Sequence, residues 1–217
     1  MSDFASRRMT MVDTQVRPSD VTKFPIIEAM LHIPRETYVP AALRDAAYAG
    51  AHVPLAPGRV LLEARTMAKM LDALDIRPDE LVLDLGAGLG YSTALLARLA
   101  ETVVGVEEDE ALAAEAARIL GQEGVDNAII HQAPLVAGAA KHGPYDVIVI
   151  EGGIEELPDA IADQLKEGGR IAAVEMNGAL GTVKHGLKRD GRIDWRFAFN
   201  AAAPVLPGFG RAAAFSL

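Results

Sequence analysis

The 217-residue chain contains no cysteine. This excludes disulfides, thiolate metal sites and a cysteine nucleophile, and it agrees with a reducing compartment. A basic surplus is missing too: 21 Lys/Arg stand against 30 Asp/Glu, a formal net charge of -9. Neutralising nucleic-acid phosphates needs the opposite balance, so no nucleic-acid partner is expected. No long apolar run is present. Residues 1–8 lack the core of a signal peptide, and the charge-poor stretch from Phe197 to Gly210 is broken by Asn200, Pro204 and Pro207. The expectation is a cytoplasmic protein without membrane contact. His32, His52, His131, His142 and His185 are scattered without a His-x-x-x-His spacing, so no metal is expected. There is no internal repeat.

What is there is an ordinary globular composition, 50% hydrophobic and 24% charged. The charge is uneven. Residues 1–77 hold 10 Lys/Arg and 9 Asp/Glu (+1), whereas residues 78–217 hold 11 and 21 (-10). The break near Arg77-Pro78 suggests a helical N-terminal lobe, 1–77, and a compact core unit, 78–217. In the lobe, Ser19 or Asp20 is placed to cap a helix running to about Leu31, with Pro25 in its first turns. Prolines 34, 40, 54 and 57 then cut the chain into short pieces. Helical spacing returns from Arg65 to Leu74 through Met67, Met70, Leu71 and Leu74.

From Glu80 the texture alternates between short apolar runs and helical segments. Strands are expected at 81–85, 102–106, 128–130, 145–150 and 170–174, with helices at 91–99, 109–120 and 160–165. Continuous apolar strands in a βαβ rhythm mean a parallel sheet covered on both faces. Residues 182–187, 195–200 and 212–217 read as strands without long helices between them. The fold class is therefore α/β and Rossmann-like, a mostly parallel sheet with an antiparallel C-terminal finish and a helical N-terminal lobe.

The chemistry concentrates in Leu83-Asp84-Leu85-Gly86-Ala87-Gly88-Leu89-Gly90-Tyr91, at the first strand-to-helix turn. Glycines there let the backbone turn tightly and approach a ligand. The spacing is Gly-x-Gly-x-Gly rather than the Gly-x-Gly-x-x-Gly that favours a pyrophosphate. Asp84 just before it would repel a phosphate but suits a ligand carrying an ammonium group. S-adenosylmethionine has that group, a sulfonium, and no phosphate. Glu107, followed by Glu108, ends the second strand 23 residues beyond Asp84. A carboxylate at that strand end can accept from both ribose hydroxyls. Ser92 and Thr93 are read as satisfying free donors in the first helical turn.

With these residues the chain resembles the protein-L-isoaspartate O-methyltransferase family, class I S-adenosylmethionine-dependent enzymes. The resemblance runs from about Met30 to Gly169. It rests on Ile33-Pro34-Arg35-Glu36-Thr37-Tyr38-Val39-Pro40, Val53-Pro54-Leu55, Gly58, the glycine segment, Pro144 to Val149, Leu157-Pro158 and Gln164 to Gly169. It implies methyl transfer to the carboxylate of isoaspartyl residues in damaged proteins or peptides. It also implies an acceptor wall over 53–63 and a cofactor seat built from Asp84, the loop from Gly86 to Tyr91, Glu107, Glu108, Leu135 and Glu151. Two departures stand out. Leu62 and Glu63 occupy the acceptor-site positions where the family places a hydroxyl residue and Gln. Ala133-Pro134-Leu135 replaces the family's Gly-Asp-Gly near the adenine, leaving Leu135 to pack there. Two alternatives stay open: a family methyltransferase with a different acceptor, and a cofactor-binding protein that does not catalyse transfer. The oligomeric state is not legible.

Overall fold

The computed structural model describes residues 3–211. The lobe begins with α1 (Phe4–Met11), whose N-terminus is capped by Asp3 accepting from the Ser6 N–H, and continues through a π-helical turn at Val12–Val16. Helix α2 (Phe24–His32) follows. It starts later than Ser19 or Asp20, because Arg17–Ser19 forms a tight 3-10 turn and Asp20 takes a left-handed φ of 66°. The Ser19 hydroxyl is spent on the carbonyls of Gln15 and Val16, so it caps nothing. Pro25 sits in the first turn of α2, as expected.

After two 3-10 segments, β1 (Val53–Ala56) and β2 (Arg59–Leu61) form a small antiparallel hairpin that the proline spacing did not reveal. Helix α3 (Ala64–Leu74) then buries Met67, Met70, Leu71 and Leu74. Each such side chain is worth about 1.5–3 kcal/mol of burial.

The main sheet contains β3 (Leu81–Leu85), β4 (Thr102–Glu107), β5 (Ala128–Gln132), β6 (Tyr145–Ile154), β7 (Leu165–Asn177), β8 (Leu180–Arg189) and β9 (Arg192–Asn200). Helices α4 (Tyr91–Ala97), α5 (Glu110–Gln122) and α6 (Asp159–Ala162) alternate with the first strands. The order is β5-β4-β3-β6-β7-β8-β9. Pairing is parallel through β7 and antiparallel from β7 to β9, as the sequence pattern implied. The expected strand at 212–217 lies outside the described residues. The expected helix at 160–165 is shorter, ending at Ala162, because Leu165 already belongs to β7.

The continuous apolar strands are explained by two cores, one on each face. Val82, Val103, Val147, Val149, Ala172 and Val174 join the lobe's residues in one cluster. Their alternates Leu83, Leu85, Val104, Val106, Ile148, Ile150, Ile171 and Ala173 join Leu206 and Phe209 in the other. The strand order reverses between β3's neighbours β4 and β6, and in such sheets ligands seat in the crevice beyond the carboxyl ends of these strands. No helix among the described residues is long and apolar enough to cross a membrane.

Candidate active site

Strand β3 carries Asp84 to the crevice, and the glycine loop turns immediately after it. Gly86 and Gly88 have φ of 86° and 58°, a region that side chains with a Cβ enter only with strain. Asp84 is fully buried. Its Oδ2 accepts from Ser92 Oγ at 2.7 Å and Thr93 Oγ1 at 2.6 Å, while Oδ1 has no partner among the described residues. The two hydroxyls therefore orient this carboxylate, and no side chain caps the helix turn, against the expectation from the sequence. Burial pushes its pKa up to about 6. The two hydroxyls oppose that shift and the Glu107 charge adds to it.

On the adjacent strand, Ile150 pairs with Leu85, so Glu151 follows at the same edge of the sheet. Glu151 is buried, and its Oε1 also lacks a partner. Burial, then the neighbouring Asp84 charge, holds its carboxyl well above the usual range. Two buried acids that repel each other, each with an oxygen to spare, attract a cation.

Glu107 ends β4 and is fully buried. Its Oε1 accepts from Arg59 Nη1 (2.7 Å), Glu108 N (2.9 Å) and Asp109 N (3.0 Å). Its Oε2 accepts from Arg59 Nη2 (2.7 Å) and Gly88 N (2.8 Å). Arg59 comes from β2 and is itself buried. From β1 of the same hairpin, Leu55 lies against the loop so closely that a Cβ on Gly88 would meet its Cδ1 at 2.5 Å. Leu206, from the chain after β9, packs on Gly86 and Gly152.

Below the hairpin, Arg35 is buried without a carboxylate partner. Its Nε donates to the Ala47 carbonyl and its Nη2 to that of Leu62, and its guanidinium lies 4.9 Å from the Tyr91 ring centroid. Burial lowers its pKa, while burial raises that of Tyr91. Tyr91 meets Tyr38 edge-on at 5.8 Å.

Asp84, Glu107 and Glu151 thus lie at the carboxyl ends of three neighbouring strands, beside the loop of Gly86, Ala87, Gly88 and Leu89, while Gly90 packs on Ala116 and Leu120 of α5 and Tyr91 on Arg35 and Tyr38 of the lobe. Glu108 and Leu135 are linked, the Leu135 N–H donating to Glu108 Oε2 at 3.2 Å. Leu62 is fully buried in the lobe's apolar cluster. Glu63 precedes α3, and its Oε1 accepts from Thr66 Oγ1 at 2.8 Å. His52 ties this region together: its Nδ1 accepts from the Glu63 N–H and its Nε2 lies 2.8 Å from the Ala202 carbonyl. Among the described residues no group of three His, Asp or Glu is arranged to hold a metal.

The family model described as Protein-L-isoaspartate(D-aspartate) O-methyltransferase matches residues 7–194. The chain belongs to the protein-L-isoaspartate O-methyltransferase family. A family member from Syntrophus aciditrophicus is 40% identical over 171 residues, covering 79% of this chain and 78% of its own. One from Roseiflexus castenholzii is 32% identical over 189 residues, 87% and 86% of the two chains. Among solved structures, a protein-L-isoaspartate O-methyltransferase superposes with a TM-score of 0.81 at 23% identity, covering 94% of this chain and 67% of that one. A beta-aspartate methyltransferase structure from Plasmodium falciparum, in complex with S-adenosyl-L-homocysteine, gives 0.78 at 18%, with coverage of 95% and 99%. The fold is thus that of the class I methyltransferases. The enzymes of the protein-L-isoaspartate O-methyltransferase family are S-adenosylmethionine-dependent transferases, and this chain is one of them.

The residues fit that cofactor unevenly. At the amino-acid end, the unpartnered oxygens of Asp84 and Glu151 suit its ammonium group. Glu107, the carboxylate expected to accept from ribose hydroxyls, already takes five donors. Arg59 is the residue that sequence reasoning missed. Its signal was a lone cation within the apolar run from Val53 to Leu62, a pattern that calls for a buried partner.

Proposed function

We propose that this enzyme methylates the carboxylate of isoaspartyl residues in proteins and peptides, with Asp84, Glu151 and Glu107 holding the cofactor. The observation that carries the reading is the pair of unpartnered buried carboxylate oxygens beside the glycine loop. S-adenosylmethionine, when bound, supplies a methyl group on a positively charged sulfur that leaves as a thioether. Asp84 and Glu151 bind its ammonium, and Ser92 and Thr93 keep Asp84 aimed at it. Glu107 is assigned to the ribose, and Glu108 with Leu135 to the adenine border.

An isoaspartyl α-carboxylate has a pKa of about 3.3–3.7 and is ionised near neutrality, so no general base is needed. The protein's task is to position the acceptor in line with the methyl group and to exclude water. Leu55 of the hairpin and Leu206 supply an apolar cover for that purpose. Arg35 offsets part of the Glu151 charge, so an anionic acceptor does not meet acids alone. The absence of cysteine and of a basic surplus supports work in the cytoplasm on protein rather than nucleic acid.

Transfer of a labelled methyl group to an isoaspartyl peptide, with its aspartyl twin as control, tests the reading. Transfer to the isoaspartyl peptide alone is expected. Cofactor binding without transfer to either peptide would overturn the acceptor. It would favour a different one, a reading that Leu62 and Glu63 in the acceptor segment already motivate.

A further inference from the structure

We infer that Arg59 is a built-in competitor for the ribose seat and sets the cofactor affinity of this enzyme; the inference rests on the function proposed above. A carboxylate offers about four acceptor positions. Glu107 receives five N–H groups, two of them from Arg59 in a bidentate pair at 2.7 Å. A ribose diol needs to donate to the same oxygens. The three backbone donors belong to the glycine loop and to the turn after β4, which cannot leave without unmaking the seat. Arg59 is the only donor on a movable arm, so it must let go before the ribose is held.

The rest of the hairpin strengthens the reading. Arg59 Nη2 lies 3.2 Å from where a Cβ on Gly86 would stand, and Leu55 presses on Gly88. The face of the loop that a nucleoside would approach is therefore covered by the chain's own β1–β2 hairpin. The pair is also imperfect: Arg59 Nε is buried without a partner, and a buried unsatisfied donor weakens the hold of its side chain. Arg59 is thus strong enough to close the site and not so well satisfied that it cannot leave.

The test is calorimetric titration with S-adenosyl-L-homocysteine of the wild type and of Arg59→Met, together with the thermal stability of each without ligand. Arg59→Met is expected to bind at least tenfold more tightly while melting at a lower temperature without ligand. Should Arg59→Met fail to fold, Arg59→Lys keeps a cation but loses the two-point contact, and about a threefold tightening is expected of it. Equal affinity would overturn the inference, as the arginine would then leave at no cost. Weaker binding would overturn it too, making Arg59 part of the cofactor seat. If neither protein binds at millimolar ligand, the cofactor assignment falls and this inference falls with it.

Discussion

At the residue scale the site is a set of buried charges whose pairing decides their behaviour. Asp84 titrates near 6 in the folded protein, against an ordinary value of 3.8. The native state therefore binds its proton more tightly than the unfolded chain does. Stability falls as pH rises from about 4 to about 6, and the cost is fully present above that window. Asp84→Asn removes the cost while keeping an oxygen for Ser92 and Thr93. Its melting temperature should exceed that of the wild type at pH 7, with the gap closing as pH falls towards 4 in a thermal denaturation series. Glu107→Ala should act in the opposite direction. It leaves the Arg59 guanidinium buried and unpaired, a loss of about 3–5 kcal/mol in urea denaturation. The double variant Arg59→Met with Glu107→Leu should be less destabilised than the sum of the single changes, because it removes both charges together.

At the element scale, the segment after β9 is a strap across the end of β6. The Gly153 N–H donates to the Pro204 carbonyl, the Leu206 N–H to that of Gly153, and the Glu155 N–H to that of Phe209. A Cβ on Gly153 would meet the Ala203 carbonyl oxygen at 2.6 Å, which is backbone and cannot swing aside. Gly153→Ala should cost about 1–3 kcal/mol by equilibrium denaturation, and it should raise hydrogen exchange at the Leu206 and Phe209 amides. The hairpin β1–β2 shows why some elements escaped the sequence. Its strands are of four and three residues, with Pro54 inside the first and Pro57 in the turn between them, too few positions for an alternating pattern to register. Helix α2 started late for a related reason: a capping side chain was present at Ser19, but the chain used it to close a 3-10 turn.

At the scale of the whole molecule, the lobe and the sheet share one apolar cluster running from Met11 to Val174 and beyond. Arg170 of β7 fastens the junction. It donates to the carbonyls of Leu74 and Asp75 and pairs with Glu80 at 2.6 Å. We propose that the boundary near residue 77 separates surfaces of different charge but not separate folding units. Calorimetry should show a single transition with equal calorimetric and van't Hoff enthalpies. Arg170→Met should lower its midpoint without splitting it. Two resolved transitions in the wild type would overturn this. Four of the lobe's arginines, meanwhile, are occupied within the protein: Arg7 with Asp45, Arg8 with Glu36, Arg17 with Asp13, and Arg35 inside the core.

The sequence by itself determined the sheet, its antiparallel finish, the glycine loop with Asp84 and Glu107, and the family. All of these are written in local periodicity or in residues close together in the chain. Glu151 was reached only through the family resemblance, and its burial beside Asp84 was decided by the parallel pairing of β3 with β6. The Arg59–Glu107 pair joins residues 48 positions apart. No local pattern encodes such a contact. It exists because the lobe's hairpin folds across the end of the sheet, where each of these two buried side chains meets a charge of opposite sign. The absence of cysteine and of a basic surplus narrowed the chemistry from the first residue to the last, but only the tertiary structure revealed that the chain keeps an arginine of its own on the carboxylate we propose for the ribose.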